Sequence, residues 1–162
     1  MDLIEGRMTA NVKDVDEVVV FLIGMRINKF RAVRSWLPAM LAMPRMLREL
    51  EADRSDGLLG ARVTLSGPRD TAVVQYWRSV EELMAYASAP DREHRPAWAA
   101  FNRQVRKSRG SVGIWHETYR VPRGGFESVY VDMPPYGLGE AYGPVPVGAR
   151  GNSARERLAG GT

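Results

Sequence analysis

Glu17-Val18-Val19-Val20-Phe21-Leu22-Ile23-Gly24-Met25-Arg26-Ile27 is rich in β-branched residues and almost continuously apolar. A run without polar alternation is what a central strand needs when both of its faces are covered. Its longest wholly apolar stretch, Val18 to Met25, falls far short of the roughly 20 residues that cross a bilayer. Downstream the period changes. Val33, Trp36, Leu37, Met40, Leu41, Leu47 and Leu50 recur at helical spacing, which predicts a helix over 32–52. Pro38 is tolerated near its first turn, whereas Pro44 should bend or interrupt it because proline has no N–H to donate.

Asp56-Gly57 ends that helix, and Leu58 to Ser66 reads as a second strand. The turn Gly67-Pro68-Arg69-Asp70 leads into Thr71 to Arg78, and so short a connection implies an antiparallel hairpin. Ser79 is a good N-cap for a short helix to Ser88, with Glu81 and Glu82 in its first turn and Pro90 beyond its end. Arg95 to Lys107 reads as another helix, Val112 to Val121 as a fourth strand and Phe126 to Val131 as a short fifth. The order strand–helix–strand–strand–helix–strand is that of an α+β, ferredoxin-like antiparallel sheet with its helices on one face. The other face, bearing Val, Ile, Leu and Trp, cannot remain in water, so a second subunit is expected to cover it in a dimeric α+β barrel. The segment after Gly125 is expected to reach across to that partner.

The 162 residues suit one domain, expected over 15–142 between a flexible leader, 1–14, and a flexible Gly/Pro/Arg-rich tail, 143–162. Ile4-Glu5-Gly6-Arg7 matches a protease site often placed between tags and proteins, so residues 1–7 are either a native leader or an expression scar. At 44% hydrophobic and 26% charged the composition is that of a globular protein. With Cys at 0, thiolate nucleophiles, disulfides and cysteine-bound metals are excluded. The net charge of +4 invites a nucleic-acid reading, but its arginines are interleaved with acids, as in Arg45, Arg48, Glu49, Glu51, Asp53 and Arg54. No nucleic acid or membrane partner is expected, and no secretory signal is legible, so a cytoplasmic location is expected.

Two histidines are available. His94 lies at a helix start among Arg92, Glu93 and Arg95, a polar setting in which a solvated imidazole is ordinary. His116 lies inside the fourth strand, where an imidazole must be buried with hydrogen-bond partners or point into a cavity. Either can serve as a general base, because histidine titrates near neutrality, or as a simple core residue. A strand fixes direction better than a loop, which favours His116. Alternation puts Glu117 on the opposite face, so no His–Glu dyad forms within one strand. Trp36, Trp77 and Trp98 are candidates for an apolar pocket, and Trp115 adjoins His116. Arg26 and Asn28 end an apolar strand, either capping the next helix or lining a pocket mouth. Glycine-rich phosphate or dinucleotide loops are absent, as is any metal-ligand spacing.

The Arg26-x-Asn28 strand end, Trp36-x-Pro38, Tyr76-Trp77, His94-x-x-x-Trp98 and Gly113-Ile114-Trp115-His116-Glu117-Thr118-Tyr119 together resemble a family of dimeric α+β-barrel proteins. That family is named after a fumagillin-pathway monooxygenase. Tyr130-Val131-Asp132-Met133-Pro134 and Gly137-Leu138 resemble its C-terminal motif, and the likeness runs over about residues 15–143. It is similar in fold to antibiotic-biosynthesis monooxygenases, some cofactor-free, and to haem-dependent aldoxime dehydratases. The resemblance implies a monooxygenase-like oxidoreductase of secondary metabolism acting on a small apolar or aromatic molecule. No cofactor is required in that reading, with His116 or His94 as base. Two alternatives stand beside it. One is a haem enzyme with His116 or His94 on the iron and Arg26 or Arg95 on the propionates. The other is a ligand-binding barrel without turnover.

Overall fold

A computed structural model describes residues 2–38, 40, 41, 57–89 and 110–160. Strands β1 (Ile4–Ala10), β2 (Glu17–Ile27), β3 (Leu58–Leu65), β4 (Asp70–Trp77), β5 (Val112–Pro122), β6 (Tyr130–Met133) and β7 (Pro144–Pro146) form two sheets. Helices α1 (Val80–Ser88), α2 (Leu138–Tyr142) and α3 (Ala154–Ala159) accompany a helical stretch at residues 33–38. The larger sheet has the order β3-β4-β2-β5, antiparallel at every pairing. Strands β2 and β3 are both antiparallel to β4 and so run parallel to each other. That is the split strand–helix–strand arrangement expected from the sequence.

The apolar run of β2 is central because both of its edges are paired, with β4 on one side and β5 on the other. Its odd-numbered residues face the helices. Val19 packs with Leu58, Trp77, Leu83 and Tyr86 under α1, while Met25 and Ile27 pack with Val112, Trp36 and Ile114 under the helical stretch at 33–38. Both helical segments therefore lie on one face, as anticipated. Ser79 caps α1, its hydroxyl accepting from the Glu82 N–H at 3.1 Å.

The chain ends differ from expectation. Residues 1–14 were expected as a loose leader and 143–162 as a loose tail, but β1 is the central strand of the second sheet, ordered β6-β1-β7. Ile4-Glu5-Gly6-Arg7 lies within β1, Gly6 donating its N–H to Asp132 at 2.8 Å. The tail forms β7 and α3, whose start is closed by a capping box of Ser153 and Glu156. Composition alone missed this because two weakly apolar ends support each other through backbone pairing. The expected fifth strand, 126–131, also moves. It is β6, four residues further along, and it pairs with β1 of its own chain. Through α2 this terminal sheet rests on β3, Gly60 lying 3.7 Å from Ala141 at the position of an added Cβ. The chain thus covers part of the helix-free face itself. Among the described residues no helix is long and apolar enough to cross a membrane.

Candidate functional site

Cross-strand register fixes what surrounds His116. It stands opposite Ile23, which is opposite Val73, which is opposite Val63. Directly opposed residues share a face, so Val63, Val73, Ile23 and His116 form one row across the four strands, on the side that carries the helices. Phe21, one pair along, presents its ring 5.9 Å from the imidazole at a tilt of 41°. The imidazole therefore ends an apolar row and touches an aromatic ring.

Strand alternation puts His116 on the helix side of the sheet, opposite Ile23. His116 is exposed, as is every residue from Trp115 to Arg120. Position contributes: among the described residues β5 is an edge strand, paired with β2 alone. Among the described residues no hydrogen bond engages the ring. Glu117 is on the opposite face, beside Leu22, and accepts a 2.7 Å hydrogen bond from the Tyr119 hydroxyl. The absence of a His–Glu dyad follows directly.

The other sequence candidates among the described residues do not converge on His116. Trp77 is fully buried core, its indole N–H donating to Gln75 Oε1 at 2.9 Å. Trp36 donates to the Phe30 carbonyl at 3.0 Å and packs on the Met25 cluster. Asn28 donates its amide to the Gly110 carbonyl at 3.1 Å, which ties the loop before β5 to the end of β2. Arg26 pairs with Asp70 at 2.6 Å. It also lies on the face opposite His116, because it stands across from Gly113 while His116 stands across from Ile23. A haem ligated by His116 therefore cannot use Arg26 for its propionates, and that combination does not fit the residues present. His94, Arg95 and Trp98 lie outside the described residues.

Two features were missed by sequence reasoning. Gly24 is where the Trp115 indole lies across the sheet, so close that a Cβ there would overlap its Cζ2 and Nε1 at 2.5 Å. This glycine in a strand marks a close aromatic approach, as a strand glycine often does. On the same helix-free face, Arg62, Tyr76, Tyr130 and Tyr136 gather around Gly137. Burial raises the Tyr76 phenol above its ordinary 10.0, with Arg62 pulling the other way. The lone charge in the apolar strand Leu58-Leu59-Gly60-Ala61-Arg62-Val63 was the available sign.

Residues 18–138 match the family described as monooxygenase af470-like. The chain belongs to that family. A curated member, Monooxygenase af470 of Aspergillus fumigatus, is 30% identical over 174 residues, covering 96% of this chain. The chain spans about 60% of the length of that curated relative. Among solved structures, a cofactor-independent oxygenase, SnoaB of Streptomyces nogalater, is similar with a TM-score of 0.41 and 10% identity, over 65% of this chain and 92% of its own. A conserved protein of unknown function from Bacteroides thetaiotaomicron, described as a possible oxidoreductase, gives a TM-score of 0.39 and 12% identity, over 65% and 99%. Within the monooxygenase af470-like match lie β2 from Val18 onward and β3 to β6, and so both His116 and the Arg62 cluster, whereas β1, β7 and α3 fall outside it.

Proposed function

We propose that this member of the monooxygenase af470-like family is a small oxygenase of secondary metabolism that works without a cofactor. Its substrate is an apolar or aromatic molecule with an acidic C–H, seated on the helix side of the sheet. One observation carries the reading: an accessible imidazole, free of hydrogen bonds among the described residues, ends the apolar row Val63-Val73-Ile23. That pairing suits an aromatic body lying on the row with its acidic carbon at the ring nitrogen. His116 takes the proton, leaving a delocalised carbanion whose electrons pass to oxygen. The resulting hydroperoxide at a former methylene loses water to give a carbonyl. One oxygen atom is retained and the other leaves as water, so no outside reductant is consumed.

Haemin titration tests the cofactor-free reading. Purified protein is expected to turn over without added haem, and neither a Soret band nor a gain in rate is expected on titration. Activity that appears only with haem overturns it.

The homodimer belongs to the same reading. Strands β2 and β5 present Leu22, Trp115 and Tyr119 on the face that the terminal segments leave uncovered, Trp115 being 40% and Tyr119 48% exposed. A second copy packed there buries roughly 2,000 Å² or more, as obligate interfaces do. Light scattering should give twice the chain mass at micromolar concentration, and a folded monomer contradicts the dimer.

A further inference from the structure

We propose that Phe21 is the positioning residue of His116, the side chain through which the core under α1 sets the direction of an imidazole on an edge strand. The inference rests on the reading of His116 as the base and adds what holds that base in place. A proton acceptor has to keep one orientation while its substrate arrives, and a hydrogen bond from one ring nitrogen is the usual means. His116 has no such bond among the described residues. Its neighbour Glu117 is on the other face and engaged by Tyr119. The ring contact that the imidazole does make is with Phe21, at 5.9 Å between centroids and 41° between planes. Aromatic rings attract one another in offset or tilted arrangements at roughly 4.5–7 Å, so this pair is within reach of a directional contact.

Phe21 can brace the imidazole because it is itself braced. It stands opposite Gln75 on β4 and Thr118 on β5, in the row next to that of His116 and on the same face. Its side chain packs against the buried cluster of Val19, Leu58, Trp77, Leu83 and Tyr86. Gln75, across from it, is 6% exposed and accepts the Trp77 indole N–H at 2.9 Å, so the residue behind Phe21 is fixed by a bond of its own. Contacts therefore lead from the Trp77 cluster to Phe21 and on to His116, from the middle of the sheet to its edge. Thr118 lies two residues past His116, so Phe21 meets the imidazole from that side. The substrate's C–H is thereby directed to the side of Ile23, where the apolar row that seats its body ends. A leucine at this position would still fill the edge of the core, but it has no flat ring to hold the imidazole at a set tilt.

The test uses the full chain, free of haem, and reads orientation and turnover separately. NMR with isotope-labelled histidine follows the His116 ring protons, assigned by their loss in His116→Ala. Phe21→Leu should remove their ring-current shift and average the imidazole over rotamers, while Phe21→Tyr keeps both as in the parent. Should the leucine variant not fold, Phe21→Met fills the same space without a ring and is read the same way. Oxygen consumption is measured with 6-hydroxy-2-tetralone, an electron-rich aromatic that carries an acidic methylene. Phe21→Leu should lower kcat roughly 3- to 10-fold, the scale of one aromatic pair, with KM unchanged because the apolar row is intact. Phe21→Tyr should restore kcat. Val80→Ala thins the same core from α1 and should lower Tm while leaving kcat and the His116 signals at their parental values. A merely structural Phe21 would behave as Val80 does. The proposal is overturned if Phe21→Leu leaves the His116 ring signals in place, or keeps the parental kcat while His116→Ala is slow. A folded His116→Ala variant at the parental rate defeats the base reading itself, and this inference with it.

Discussion

Replacing Arg157 by alanine tests whether the chain's end is docked as described. Arg157 is 5% exposed, its Nε and Nη2 both 2.8 Å from Glu127 Oε2 and its Nη1 donating to the Gly151 carbonyl at 3.0 Å. Removing one partner of a fully buried pair costs about 3–5 kcal/mol, because a charge is stranded. Here Glu127 retains 30% side-chain exposure and rehydrates, which brings the loss down to about 2 kcal/mol. Because α3 and its cap lie outside the main sheet, that loss should appear as local opening rather than global unfolding. At 1.4 kcal/mol per tenfold, the amides of Arg157 and Gly160, now bonded to the Ser153 and Glu156 carbonyls, should exchange with solvent about 30-fold faster. Native-state hydrogen exchange measures this directly, with the exposed Arg155→Ala as control and the β2 amides as internal reference. If Arg157→Ala exchanges no faster than the control, the ion pair does not hold the tail and the docking argument fails.

Gly24→Ala places a methyl group in the space of the Trp115 indole, so Trp115 must swing outward at a cost of about 1–3 kcal/mol. Red-shifted tryptophan fluorescence with a lowered Tm is the expected result, and an unchanged spectrum would refute the packing. Glu156 is held below its ordinary 4.5 by hydrogen bonds from the Asn152 and Ser153 backbones, then by the Ser153 side chain. A depressed carboxylate stabilises the fold above its unfolded value and loses that contribution as pH falls through its folded value. The α3 cap should therefore open progressively below about pH 4.5, seen as exchange at Asn152 and Ser153. Glu156→Gln should flatten that dependence.

The main sheet was legible because its information is local. The unbroken apolar run of β2, the Gly67–Asp70 turn and the Ser79 cap each dictate structure from a few neighbouring residues. The order of strands and helices then leaves few topologies to consider. The terminal sheet was not legible, since β1 pairs with β6 and β7 more than a hundred residues away, and neither end carries a periodic apolar pattern. The direction of His116 could be read from alternation, but its exposure depends on β5 being an edge strand, which is a property of the assembled sheet. The tryptophans mislead for a related reason. Trp36, Trp77 and Trp115 look like one aromatic set in the sequence, yet the first two fill separate parts of the core and the third crosses Gly24 on the other face. Arg62 was overlooked because a single charge in a strand reads as a solvated residue until its neighbours are known.

The proposal that His116 is the base is tested most directly by oxygen consumption. Haem-free protein would be given electron-rich hydroxyaromatics that carry an acidic methylene, and the parent compared with His116→Ala. The parent should consume one oxygen molecule for each carbonyl formed. His116→Ala should be slower by at least about 100-fold, the low end for a lost general base, with its fold unchanged by circular dichroism. A folded His116→Ala variant that consumes oxygen at the parental rate contradicts the account.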